Sequence, residues 1–246
     1  MLLDEPPRSQ GDLIFSIAGI PVRVHPMFWL VALLLGLGAT GGKPIPIAIW
    51  VAAAFVSILV HELGHALVAR SYGFEPRITL HAMGGLASYL PARREPKSNI
   101  AITLAGPAAG FLFAMLVILA LRASGRQVEL TWSVSPLVQI YFDRFDNLNL
   151  HQFVFYLLYV NIYWGLLNLL PVYPLDGGQI ARDLLTLADP GEGLRRSLWL
   201  SVLVAGGIAV YSLAQGSMYL GMMFAYLGYQ SYTALQSYFG SGGGRR

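Results

Sequence analysis

The sequence has no cysteine and little charge. The first absence excludes disulfides and every cysteine–zinc site. The second sets the class. Only 12% of the 246 residues are charged and 55% are hydrophobic, whereas a soluble domain carries about 25% charged residues, so the chain reads as an integral membrane protein. Its formal charge of +3 is small and scattered, and no nucleic-acid partner is expected. The start, Met1-Leu2-Leu3-Asp4-Glu5-Pro6-Pro7, has no basic segment leading into an apolar core, so no cleaved signal peptide is expected. No tandem repeat and no appended soluble domain is visible, and residues 1–246 read as a single membrane-embedded domain.

What is present is the stretch His61-Glu62-Leu63-Gly64-His65, of the form H-E-x-x-H. Residues four apart on a helix share a face, so both imidazoles can address one metal ion. The glutamate between them can take a proton from a metal-activated water, as in helical metalloproteases. The setting sharpens the motif. Residues 45–60 are apolar apart from Ser57, and a charged group at the centre of a membrane helix costs about 2.5–3.5 kcal/mol on insertion scales, so it is seldom kept without a function.

Along the chain, residues 1–11 read as disordered. Two short strands or a hairpin follow, Asp12–Ile17 and Ile20–His25, with Ala18-Gly19 between them. A first membrane helix fits Met27 to about Ala39 and a second about Ile45 to Arg70, with the motif near its C-terminal end. Residues 77–90 read as a β-hairpin turning at Gly84-Gly85. Helix three spans about Asn99 to Arg122, with Ala105-Gly106-Pro107 permitting close helix contact. Residues 123–150 read as a polar loop. Helix four runs from about Phe153 to Leu170 and ends at Pro171-Val172-Tyr173-Pro174-Leu175-Asp176-Gly177-Gly178, where two prolines and two glycines argue against regular helix. A short helix, about Gln179 to Leu187, precedes helices five (about 198–213) and six (about 218–235). The tail from Gly240 to Arg246 reads as flexible. The expected class is thus an α-helical polytopic membrane protein of about six spans with a small β-sheet on the cytosolic side.

With the N-terminus in the cytosol, twelve of the sixteen Lys and Arg fall on the cytosolic side, leaving Lys43, Arg122, Arg126 and Arg144 opposite. The positive-inside rule then predicts both termini cytosolic in a multi-pass protein of the cell membrane. The ends of helices two and four, with the histidine pair and with Asp176, come to that same side.

Two histidines leave zinc in need of a third protein ligand. His25, His81 and His151 lie near predicted membrane boundaries, where an isolated histidine is commonly a polar tip. Asp176 sits in irregular backbone ending a membrane helix, which is tolerated where it lines a cavity or is buried in protein. An Asp in a Pro/Gly turn is equally a cap for the next helix, and spacing alone leaves these two readings even.

The set resembles the site-2 protease family of intramembrane zinc metalloproteases. His61-Glu62-Leu63-Gly64-His65 is similar to its H-E-x-G-H form, and Asn168-Leu169-Leu170-Pro171-Val172-Tyr173-Pro174-Leu175-Asp176-Gly177 to its N-x-x-P-x-x-x-x-D-G motif. Ala105-Gly106-Pro107 resembles the family's small-residue signature, and Gly19–His25 the strand before its first helix. The likeness covers roughly residues 13–190.

The resemblance implies one zinc ion held by His61, His65 and Asp176, with Glu62 as general base in hydrolysis of a membrane-anchored protein substrate. It also implies supporting roles for Asn168 and Pro171. Asn161, seven residues earlier on the same helix face, either joins them or holds helices together. A substrate helix hides its carbonyls in its own hydrogen bonds and must unwind. The hairpin with Gly84 and Gly85 is the candidate edge to receive it by strand addition, or else a structural hairpin at the membrane interface. The competing classes are a non-catalytic zinc-binding scaffold or transporter, and a zinc-dependent lipid hydrolase.

Overall fold

The computed structural model describes residues 7–82, 84–90, 95–133 and 138–242. Of the expectations above, those that fall on residues 1–6, 83, 91–94, 134–137 and 243–246 lie outside the described residues. The chain falls into two compact units: Met1–Arg93 with Ala105–Gly165, and Arg94–Leu104 with Leu166–Arg246.

The first unit is built on a four-stranded sheet and the helix behind it. Strands β1 (Leu13–Ile17) and β2 (Ile20–Val24) form the expected hairpin, and β3 (Glu75–His81) and β4 (Gly84–Leu90) form the second. The order is β1-β2-β3-β4, with β2 and β3 parallel, so β4 is an edge strand. Parallel neighbours require a crossover, supplied here by helices α1 (Pro26–Thr40) and α2 (Pro44–Ser71). In β2 the alternation is strict: Ile20, Val22 and Val24 are buried, and Pro21 between them is exposed. Those three side chains join Ile78 and Leu80 of β3 and Ile58, Leu59 and Ala66 of α2 in one core, which fixes the sheet against the turns of α2 that carry the motif. Helix α1 begins where His25 caps it, its Nδ1 accepting from the Met27 amide at 3.2 Å. At the far end of α2, Arg70 donates to the Ala18 carbonyl in the β1–β2 turn at 2.6 Å.

Helix α3 (Pro96–Ala123) and helix α4 (Leu148–Asn168) are each divided between the units. The segment joining them is not the polar loop expected. Strands β5 (Val128–Trp132) and β6 (Val138–Phe142) form an antiparallel pair. Its register puts Val128, Leu130 and Trp132 opposite Phe142, Ile140 and Val138, an apolar face whose polar intervening residues kept the average polarity high. Tyr163 of α4 holds its second strand, the hydroxyl accepting from the Val138 amide at 3.1 Å and donating to its carbonyl at 2.7 Å.

The second unit contains α5 (Asp176–Ala188), α6 (Gly193–Ala214) and α7 (Met218–Gly242). Three boundaries correct the sequence reading. Gly84 and Gly85 open strand β4 instead of forming the turn. Asp176, Gly177 and Gly178 are the first turn of α5. Residues 240–242, expected in the flexible tail, belong to α7. At the other end Ser9–Asp12 is a turn, the Ser9 amide donating to Asp12 Oδ2 at 3.1 Å, where disorder was expected.

Four helices, α2, α3, α4 and α6, are long and apolar enough to cross a membrane by length and composition. Helix α1 is apolar but has 15 residues, and α7 has 25 residues of more mixed character. The chain is a membrane protein of helical class with a small sheet.

Candidate active site

The site begins with local geometry on α2. The helix rises about 1.5 Å per residue, so His61 lies about 25 Å from its start, well inside a membrane-length segment. His61, Glu62 and His65 are all buried, Glu62 being only 4% exposed. The two imidazoles meet edge to face with their Nε2 atoms 3.1 Å apart. Two nitrogens on one tetrahedral zinc, each about 2.0–2.1 Å from it, stand about 3.3 Å apart, so this pair fits a single zinc ion with almost no movement.

Glycines make room for these side chains. A Cβ on Gly106 of α3 would fall within 3.0 Å of the His65 ring, and one on Gly64 would strike the Ala105 carbonyl. Helix α3 therefore passes close enough to α2 to wall the histidine in, and only where neither helix carries a side chain. The small-residue reading of Ala105-Gly106-Pro107 was right about close approach, and what approaches is the His65 ring, a candidate metal ligand. Gly85 does the same for the glutamate: a Cβ there would overlap the Glu62 carboxyl group. The edge strand β4 thus runs directly over the candidate base. Its neighbour Gly84, at φ 111°, receives the Trp164 indole of α4.

Asn161 is buried on α4 and donates through Nδ2 to Ser57 Oγ and to the Leu157 carbonyl, both at 2.8 Å. Ser57 precedes His61 by one turn, so Asn161 ties α4 to the metal helix just before the motif, as the helix-joining reading expects. The first unit therefore brings together His61, Glu62, His65, Gly84, Gly85 and Asn161.

Asn168, Pro171 and Asp176 belong to the second unit. Asn168 is the last residue of α4 and is buried. Asp176 is a buried carboxylate in the first turn of α5, a place where the helix dipole favours negative charge. Leu175 is the residue preceding that helix, so Asp176 is not its cap. The glycines after Asp176 are required by space, since Cβ atoms there would strike the backbone of Leu169 and Leu170 (Gly177) and of Val172 and Tyr173 (Gly178). Sequence reasoning missed Ser57, Ser201 and Ser231, whose only signal is a hydroxyl in an otherwise apolar helix.

The remaining histidines have other surroundings. His25 caps α1. His151 packs against Phe142 with the rings tilted by 41° and their centroids 4.6 Å apart. His81 ends β3, and its pKa is held below the ordinary value by burial, with charge repulsion from His25 and Arg23 adding to it.

The sequence matches the profile of peptidase family M50 across residues 49–210. A zinc metalloprotease of Methanocaldococcus jannaschii is 31% identical, over 70% of this chain and 45% of that protein. Rip3 of Mycobacterium tuberculosis is 30% identical, over 89% of this chain and 56% of Rip3. The chain therefore spans about half the length of these curated relatives. A solved structure, the site-2 protease from Methanocaldococcus jannaschii, is similar in fold with a TM-score of 0.58 at 22% identity, over 91% of this chain and 95% of that one.

Proposed function

This chain belongs to peptidase family M50, the site-2 protease family, and from that premise we propose that it is an intramembrane zinc metalloprotease cutting peptide bonds in or near the transmembrane segment of a membrane-anchored protein. The observation that carries the reading is the buried His61–His65 pair, its nitrogens 3.1 Å apart, with the Glu62 carboxyl lodged against Gly85 of an edge strand. His61, His65 and Asp176 would hold one zinc ion. When bound, zinc supplies Lewis-acid chemistry, making a water acidic near neutral pH and polarising the carbonyl under attack.

The chain's own residues do the rest. Glu62 receives the proton of the attacking water on its carboxylate and passes it to the leaving amine. Strand β4 offers the unwound substrate backbone a row of amides and carbonyls across from β3, in a place where unpaired groups are costly. Since Gly85 lies in that strand and against Glu62, a segment added there runs past the base. Gly84 gives α4 its seat on the same strand through Trp164. Asn168 and Pro171 support the turn out of α4. The spans are α1, α2, α3, α4, α6 and α7, with both termini and the four-stranded sheet on the cytosolic side of the cell membrane.

The test uses purified full-length protein with membrane-anchored candidate substrates, with and without a chelator. Cleavage should require zinc and be lost in Glu62→Gln while zinc content is kept. A Glu62→Gln protein that cleaves as wild type would point to a non-catalytic zinc scaffold accompanied by a contaminating protease.

A further inference from the structure

Helices α6 and α7 supply none of the residues in the proposed chemistry, yet they hold the segment that does. The stretch Leu170–Leu175 leaves α4 and enters α5 without regular structure, in a chain where unsatisfied backbone groups cost several kcal/mol each. Pro171 and Pro174 have no amide to satisfy. The Leu170 amide donates to Leu167, that of Val172 to Leu170, and that of Leu175 to Val172, all backbone carbonyls. The Tyr173 amide donates to a side chain instead, Ser201 Oγ of α6 at 3.1 Å.

Ser201 is 1% exposed, and its hydroxyl faces two carbonyls, Ser197 at 2.9 Å and Pro171 at 3.3 Å. On the other side of the segment Ser231 of α7, 0% exposed, reaches the Tyr173 carbonyl at 3.3 Å and Leu227 at 3.0 Å. The bonds to Ser197 and Leu227 are ordinary for serine in an apolar helix, one turn back. The contacts to residues 171 and 173 are not, because they join each helix to the irregular segment. Between the two serines Val172 is buried among Ala205, Ala209, Phe224 and Leu227. Gly178 then rests on the Val172–Tyr173 peptide so closely that no Cβ fits. The first turn of α5 is thereby referenced to the backbone the serines grip.

We propose that Ser201 and Ser231 are positioning residues, hydroxyl clamps from α6 and α7 that fix the backbone at 171–173 and so set where Asp176 offers its carboxylate to the metal. The inference rests on the reading of Asp176 as a zinc ligand. It gives the last two helices of the chain a role in the site: they complete the hydrogen bonding of a segment that membrane surroundings cannot satisfy.

The test measures two quantities on the purified full chain: zinc affinity by chelator competition, and amide hydrogen exchange over residues 170–178 in zinc-free protein. Ser201→Ala and Ser231→Ala are compared with Asp176→Ala and with Ser212→Ala, another buried serine of α6 about 16 Å further along the helix axis. The Tyr173 amide should be protected in the wild type and exchange faster in Ser201→Ala. Both clamp variants should bind zinc about 10–100-fold more weakly, the usual cost of losing an outer support, and Ser212→Ala should match wild type in both readouts. If Asp176→Ala loses zinc while Ser201→Ala and Ser231→Ala keep wild-type affinity, the clamp is wrong and the ligand reading survives. If Asp176→Ala keeps wild-type affinity, the ligand reading falls and the clamp's link to the metal falls with it. An unprotected Tyr173 amide in the wild type overturns the proposal without any variant.

Discussion

At position 106 one methyl group would block the candidate metal site. The His65 ring occupies the space a Cβ would need, so Gly106→Ala should turn the imidazole away from His61 and weaken zinc binding about 10–100-fold, read by chelator competition. Gly85→Ala meets the Glu62 carboxyl instead. It should leave zinc bound and lower cleavage by about 10²–10⁴-fold, the worth of a positioned proton acceptor. Equal loss of metal in both variants would mean that the two glycines serve only general packing. His81 gives a pH test at the same scale. Its folded-state pKa lies below the ordinary 6.5 because of burial and charge repulsion from its neighbours, so as pH falls the unfolded chain takes up the proton first. Stability is complete above the unfolded value and declines as the pH drops from there toward the folded value. The melting temperature in detergent should fall as the pH is lowered through 6.5, and that of His81→Gln should fall less. These residues differ in how far the sequence discloses them. His61, Glu62 and His65 were legible because their relation is local, one helical turn. Ser201 and Ser231 were not, because their partners lie 28 and 58 residues away.

Among elements, α2 and α3 were read to within three residues at each end, whereas α4 and α6 each begin five residues earlier than expected, where polar residues open the helix ahead of its apolar run. The other errors fell on glycine, proline and alternation. Gly84-Gly85 was taken for a turn, but a strand also uses glycine where another side chain must lie on its backbone, here Trp164 and Glu62. Gly177-Gly178 was taken as a bar to helix, and the helix tolerates the pair because the segment before it lies in contact. In β5 and β6 the period-two pattern was present in Val128, Leu130 and Trp132 and in Val138, Ile140 and Phe142, and was outweighed by Glu129, Thr131 and Gln139 between them. The prediction at this scale concerns β4. As an edge strand it presents backbone groups to an incoming segment. Proline at whichever of Ala87 and Ser88 turns its amide away from β3 removes one such donor without touching the proposed zinc ligands, so cleavage of a membrane-anchored substrate should fall while zinc content stays unchanged. If prolines at several positions along the strand leave cleavage intact in folded protein, the strand is structural and the substrate binds elsewhere.

For the molecule as a whole, the distribution of charge predicts a direction across the bilayer. A basic residue on the translocated side is disfavoured in short loops, and this chain keeps only Lys43, Arg122, Arg126 and Arg144 there if its N-terminus is cytosolic. The opposite orientation would put the other twelve of its sixteen Lys and Arg outside. Arg70 lies in the last turn of α2 and Arg77 in β3, while Arg182 lies within α5 and Arg195 and Arg196 in the first turn of α6. The same imbalance predicts the cytosolic side for the histidine pair and for Asp176, and the opposite side for the β5–β6 hairpin between α3 and α4. A reporter that works only in the cytosol should be active when fused after Arg246 and silent when inserted at Gly125, next to that hairpin. Activity at Gly125 with silence at the C-terminus would invert the molecule. Activity at both would mean an odd number of spans between the two positions has been miscounted, with α7 the first helix to doubt because it is not among the four that qualify by length and composition.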